Sequence, residues 1–287
     1  GKPLGKKREK DQLQRLAKLL MSVYVVRFPG IAPEGFLNWL YPKCRFFFTK
    51  WCTAVVALTC LAALLLVGGN FETFLSRLPD FSQIFAVENL FLMMGLLVFK
   101  KSIHELGHGL MCKHFGGECH QIGFMLMVLP PAMYCDTSDS WTLRNRWQRM
   151  ASGAAGMYVE VFVAAICTFI WWLTHPGWIH YMALNIVFLS SVTTLVFNAN
   201  PLLRYDGYYI LSDFLEVPNL SRKANHAFFS RAREWGLGMK PVPAHQLPPR
   251  NPGLVAGYAV LAFLYRIFIM VCIMWFVMQV FELYGLQ

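Results

Sequence analysis

The chain is poor in charge. Of its 287 residues only 15% are Asp, Glu, Lys or Arg, where a soluble globular domain carries about a quarter. A soluble surface is lacking as well: 56% of residues are hydrophobic and mean hydropathy is +0.43. Runs such as WCTAVVALTCLAALLLVGG (51–69) are of membrane-crossing length. The eight cysteines include no CxxC pair, and Cys52, Cys60, Cys167 and Cys272 fall inside apolar runs. That excludes a disulfide scaffold. Acidic residues are scarce, 16 against 26 Lys plus Arg, for a formal charge of +10. The excess does not read as a nucleic-acid surface. It clusters beside apolar runs, at GKKREK, YPKCR, RNRWQR and SRKANHAFFSRARE, as cytoplasmic loops and attraction to anionic lipid require. The bilayer is the expected partner, and nucleic acid is not. No cleavable signal is expected, because a basic stretch of roughly forty residues precedes the first apolar run.

What is present is a series of apolar segments near the twenty residues that cross the hydrocarbon. They cover about 46–68, 88–112, 150–174, 178–198 and 254–282. The expected fold class is an all-α polytopic membrane protein of about five transmembrane helices. A short irregular or β-containing re-entrant segment follows the second of them, over 116–148. The first connection carries Glu72, Asp80 and Glu88 against a single Arg77, so it reads as external. The arginines before the third span and the basic 199–253 segment read as cytoplasmic, and so does the N-terminus. A multi-pass protein of the cell membrane, the inner membrane of a bacterium, is expected. Leu13, Leu16, Leu20 and Val23 share one helical face, which suggests a basic amphipathic helix over 9–23 lying on the membrane. The chain divides into a basic N-terminal segment (1–45), a membrane-embedded core (46–216), a basic linker (217–253) and a C-terminal transmembrane helix (254–287).

Within the second span stands HELGH, residues 104–108. Four residues apart on a helix, His104 and His108 project from one face. Two imidazoles so placed can hold one zinc, with Glu105 beside them to take a proton from the attacking water. Sixteen residues separate Glu88 from His104, about 24 Å of helix rise. The motif therefore lies in the cytoplasmic third of a layer about 30 Å thick. Lys100 and Lys101 share that depth and cannot both face lipid. A catalytic zinc needs a third protein ligand. Cys112 lies on the same face but about 12 Å along the axis from His104, so the ligand comes from elsewhere. The candidates are Glu160, Asp136, Asp139, Asp206 and Asp213. Asp206 closes FNANPLLRYDG just past the cytoplasmic end of the fourth span, where Pro201 breaks the helix, and it is the best placed. Cys112, His114, Cys119, His120 and Cys135 match no closed zinc spacing. Met93, Met94, Met125 and Met127 read as packing residues.

HELGH on a membrane helix, with Asn198-x-x-Pro201 and Asp206-Gly207 after a later span, resembles the site-2 protease family of intramembrane zinc metalloproteases. Within it the chain is similar to the bacterial peptide zinc metalloprotease branch, through CKHFGGECHQIG, YCDTSDSW, AAGMYVE and FNANPLLRYDGYYILSD. The resemblance covers residues 36–225. It implies one zinc held by His104, His108 and Asp206, Glu105 as the catalytic base, and Asn198 and Asn200 positioning substrate. Tyr205 stands where the wider family has Leu, and Met157 where it often has Pro. Glu160, freed from ligand duty, becomes an intramembrane partner for Lys100, Lys101 or Arg266.

The function expected is hydrolysis of peptide bonds in or beside transmembrane segments by a zinc endopeptidase. The partners are a membrane-spanning substrate and any flanking domains. Two other classes stand beside it: a non-proteolytic adaptor of an export system, and a metal-ion transporter. A transporter would string carboxylates and histidines along several spans, whereas here they gather at one level.

Overall fold

The computed structural model describes residues 25–28, 30–78, 84, 86–127, 131–238 and 252–283. The amphipathic helix expected over 9–23 lies outside the described residues. A short strand β1 (Val25–Arg27) leads to helix α1 (Glu34–Cys44) and a 3-10 turn (Arg45–Phe48). Thr49 then starts α2 (Lys50–Gly69), its hydroxyl accepting from the Cys52 amide at 3.4 Å. Along α2 the Thr59 hydroxyl donates to the Val55 carbonyl at 2.8 Å, so this polar group is satisfied within the helix, as hydrocarbon surroundings demand. The short α3 (Phe71–Ser76) precedes α4 (Val87–His114), the helix that carries HELGH.

After α4 the chain forms the antiparallel strands β2 (Ile122–Met127) and β3 (Pro131–Cys135). The sheet order is β1-β2-β3, with Val26 opposite Leu126 and Gly123 opposite Tyr134. The β-containing segment expected after the motif is thus a three-stranded sheet that also recruits residues N-terminal to the first span. A 3-10 turn (Ser138–Thr142) leads to α5 (Arg146–Leu173), capped by Asn145, whose side chain accepts from the Trp147 amide at 2.9 Å. Helix α6 (Trp178–Ser191) runs on into a π-helical turn (Val192–Asn198). Then come α7 (Asp206–Phe214), α8 (Leu220–Leu237) and α9 (Pro252–Leu283).

Among the described residues, four stretches are long and apolar enough to cross a membrane: Lys50–Gly69, Arg146–Leu173, Trp178–Asn198 and Gly253–Glu282. Their surfaces carry exposed large apolar side chains, such as Leu64 and Trp275, as a lipid-facing surface does. The second expected span, carried by α4, is not among these four. Its length suffices, but Lys100, Lys101 and Glu105 interrupt its apolar character, and Lys100 and Glu105 are turned inward and buried. A charged stripe sheltered by neighbouring helices is what a span with an internal site carries.

Helix α5 is central and packs against α2, α4, α6 and α7. Its approach to α4 depends on small residues. A methyl group at Gly107 would sit 2.9 Å from the Ala155 carbonyl oxygen, so glycine lets the two backbones meet. On the other flank of α4, Leu37 and Leu110 cluster with Cys119, which fixes α1 against the motif helix. The segment 217–253 contains more than a linker. Helix α8 packs on α9, where Val217, Leu220, Ala224, Val255 and Ala262 form a buried cluster.

Candidate metal centre

The helical spacing of HELGH brings His104 and His108 onto the face of α4 that meets α5, with Nε2 atoms 3.0 Å apart. Asp206, first residue of α7, turns its Oδ2 to within 3.0 Å of His104 Nε2 and 3.5 Å of His108 Nε2. The turn that delivers it is tight. A methyl group on Gly207 would lie 2.5 Å from the Ala199 carbonyl oxygen, so only glycine lets α7 begin so close to the end of the π-helical turn.

These three donors suit a metal better than they suit one another. Two imidazole nitrogens meeting at 3.0 Å make at most one hydrogen bond between them. Asp206 Oδ2 is buried without a well-formed hydrogen bond despite its close neighbours. Tetrahedral ligands about 2.0–2.1 Å from a zinc ion stand roughly 3.3 Å from each other by geometry, close to the spacing found here. Space is kept for such an ion by Gly156. A methyl group there would sit 2.5 Å from His108 Nε2 and 2.6 Å from His104 Nε2. Among the described residues, His104, His108 and Asp206 are the one cluster with metal-ligating spacing.

Each imidazole is held from behind. His108 Nδ1 donates to the Ser152 carbonyl at 2.8 Å, which leaves Nε2 with a lone pair directed at the site. His104 Nδ1 faces Glu160 Oε1 at 3.2 Å. Glu105 is buried beside the cluster, and Lys101 reaches its Oε1 at 3.2 Å from one turn earlier. Glu105, His108 and Asp206 open together into a cleft of about 290 Å³. Asp136, Trp141 and Arg149 also line it. The Ser138 hydroxyl and amide hold the Asp136 carboxyl below the usual range.

The other candidates for the third ligand are engaged elsewhere. Asp139 accepts from the Glu118 amide at 3.1 Å and pairs with His120 at 3.0 Å. Asp136 bonds Ser138, and Asp213 pairs with Arg149 at 2.7 Å. Glu160 contacts Lys100 Nζ at 2.9 Å, the first of its three anticipated cations. Asn198 is buried with its amide directed at Glu160 Oε2, 3.4 Å away, and does not line the cleft. The Asn200 side chain accepts from the Leu202 amide at 2.8 Å and shapes the turn before Asp206. Two contributors escaped the sequence reading. The Ser152 carbonyl is a backbone group with no sequence signature beyond the small-residue run ASGAAG. Thr194, which donates to Glu160 at 2.6 Å, looked like any hydroxyl in an apolar span. Cys119 and Cys135 lie 3.0 Å apart as thiols, and Cys112 stays outside any metal-ligating cluster of the described residues.

The chain is similar to a bacterial protein named for zinc proteolysis. That relative, "Putative peptide zinc metalloprotease protein YydH" of Bacillus subtilis (strain 168), is 30% identical over 139 residues. The match takes in 48% of this chain and 53% of the relative, so the chain spans about half the length of the curated protein it matches. No protein-family model matches the chain, and no solved structure does. The apolar helices fit a membrane protein.

Proposed function

We propose that this chain is a zinc endopeptidase of the site-2 type, which hydrolyses peptide bonds in or beside transmembrane segments. The observation that carries the proposal is the convergence of His104, His108 and Asp206, the last two lining a cleft together with Glu105. Zinc bound by those three side chains supplies Lewis acidity to the scissile carbonyl and acidifies a water. Glu105 takes the proton of the attacking water on its carboxylate and returns it to the departing amine. Lys101, one turn earlier, pairs with that carboxylate at 3.2 Å beside the cleft. His108 holds its Nε2 towards the site through the Nδ1 bond to the Ser152 carbonyl, and His104 presents its Nε2 there with Nδ1 facing Glu160 Oε1 at 3.2 Å.

A transmembrane substrate has its amides bonded within its own helix, so it must unwind before a carbonyl reaches the site. Strand β3 is the last strand of the sheet, and its final residue, Cys135, lines the cleft. An unwound stretch adding to that strand would gain backbone hydrogen bonds in place of those it gave up. The charge pattern supports a multi-pass protein of a bacterial inner membrane with the N-terminus and the cleft on the cytoplasmic side. Flanking domains, or partners in an export system, would then select the substrate.

The test pairs zinc content with cleavage of a membrane-spanning reporter in detergent or vesicles. Wild type should hold about one zinc and cut the reporter. Asp206→Ala should lose most of the metal, and Glu105→Gln should keep it while losing cleavage. A Glu105→Gln chain that retains full function in cells would overturn the protease reading in favour of a non-proteolytic adaptor.

A further inference from the structure

Helix α5 carries a carboxylate in the middle of the bundle, and its surroundings are not those of an ordinary ion pair. Glu160 is 1% exposed, fourteen residues into a 28-residue helix. Its Oε1 lies 2.9 Å from Lys100 Nζ and 3.2 Å from His104 Nδ1. Its Oε2 accepts from the Thr194 hydroxyl at 2.6 Å and the Asn198 amide at 3.4 Å. Lys100, itself 4% exposed, also contacts the Thr193 hydroxyl. Two elements thus converge on this carboxyl group of α5: α4, through Lys100 and His104, and the π-helical extension of α6, through Thr194 and Asn198. The π-helical turn places Thr193 against Lys100 and both Thr194 and Asn198 against Glu160, and such turns recur at functional sites.

We propose that Glu160 is a positioning residue for the metal centre. It holds the His104 imidazole with Nδ1 turned to its carboxylate and Nε2 to the metal, while Lys100 balances its charge. This rests on the zinc reading of His104, His108 and Asp206. A carboxylate behind a metal-binding histidine fixes the ring's tautomer and orientation and raises its basicity, and its loss costs about 10- to 100-fold in metal affinity. A lysine–glutamate pair kept only for stability would have no need of the imidazole, and a buried pair of that kind can be replaced by apolar residues at little cost. The arrangement has a second consequence. Asn198 and Thr194 hold the carboxylate rather than substrate, so their influence on catalysis passes through His104.

The experiment is cobalt titration of the full chain in detergent, followed by the visible absorption bands of tetrahedral cobalt, with zinc competition for affinity. Wild type is compared with Glu160→Gln, Lys100→Met, the double variant Lys100→Met/Glu160→Gln, and Thr194→Val. Glu160→Gln and the double variant should bind metal about 10- to 100-fold more weakly, with shifted cobalt bands. Lys100→Met should stay closer to wild type than either. Thr194→Val keeps both charges and should weaken binding by a smaller factor. Melting of the metal-free proteins separates lost structure from lost positioning, and the double variant leaves no unpaired buried charge to unfold the helix. A double variant with wild-type affinity and bands overturns the positioning role but leaves the zinc reading standing. A loss in Lys100→Met as large as in Glu160→Gln also overturns it. Wild type that takes up no cobalt overturns the zinc reading and this one with it.

Discussion

Gly156 carries no side chain, and that is its contribution to the metal centre. The space a methyl group would fill lies 2.5 Å from one imidazole nitrogen and 2.6 Å from the other. Gly156→Ala should therefore cut zinc per chain sharply, measured by elemental analysis, and destabilise the fold by only the 1–3 kcal/mol typical of overpacking. Glu105→Gln should show the opposite pattern: zinc retained, and reporter cleavage reduced by about 10²- to 10⁴-fold, the usual worth of a positioned general base. His120, on the loop after α4, pairs at 3.0 Å with Asp139 in the 3-10 turn Ser138–Thr142. The Asp139 side chain raises the His120 imidazole above 6.5, first by hydrogen bonding and then by charge. The Glu118 amide and then His120 lower Asp139 below 3.8. The histidine's contribution is complete below pH 6.5 and is lost as pH rises through its raised value. The aspartate's contribution is present above 3.8 and is lost as pH falls through its lowered value. An NMR titration should place the His120 midpoint above 6.5, and Asp139→Asn should return it towards the ordinary value.

At the scale of elements, α8 is where hydropathy misled. Its residues SRKANHAFFSRARE look like a solvated basic stretch, and the sequence placed them in a linker. Leu220, Ala224 and Ala227 are nonetheless buried, spaced at three and four residues so that one narrow apolar stripe meets α9. Leu220→Ala should cost about 2–5 kcal/mol, read from denaturant unfolding in detergent. A change under 0.5 kcal/mol would show that α8 does not hold α7, and with it Asp206, in place. The spans were easier to read. The expected third, fourth and last segments, 150–174, 178–198 and 254–282, overlie Arg146–Leu173, Trp178–Asn198 and Gly253–Glu282, because uninterrupted apolar runs leave little choice but a helix in lipid. The first began later than expected, at Lys50, because Arg45–Phe48 forms a 3-10 turn before Thr49 caps the helix.

At the scale of the whole molecule, the proposal that the cleft faces the cytoplasm makes a topological demand. In a background whose native cysteines are replaced by serine, Thr73→Cys should react with a membrane-impermeant maleimide added outside intact cells. Ser140→Cys, on the cleft wall, should react only after permeabilisation. Labelling of both from the same side would end the alternating arrangement. Burial supports an internal site at this scale as well, since Lys100, His104, Glu105, His108 and Glu160 are all buried in a protein whose surface is largely apolar. Ionisable groups at such depth persist where they pair or serve chemistry.

The sequence by itself determined the membrane class, the helical spans and the pairing of His104 with His108, because all three follow from local periodicity: hydrophobic run length for the first two, and 3.6 residues per turn for the third. It also put Asp206 foremost among five candidate carboxylates, since a broken helix end leaves a side chain free to turn back. Tertiary structure alone decided the rest. Whether Asp206 meets the imidazoles depends on Gly207 passing the Ala199 carbonyl. Whether Glu160 meets Lys100 and His104 depends on Gly107 letting α4 and α5 touch. Whether Asn198 faces a cleft or a carboxylate depends on a π-helical turn. These are contacts between separate elements, set by backbone approaches too close for an added methyl group, and no local pattern of residues encodes them.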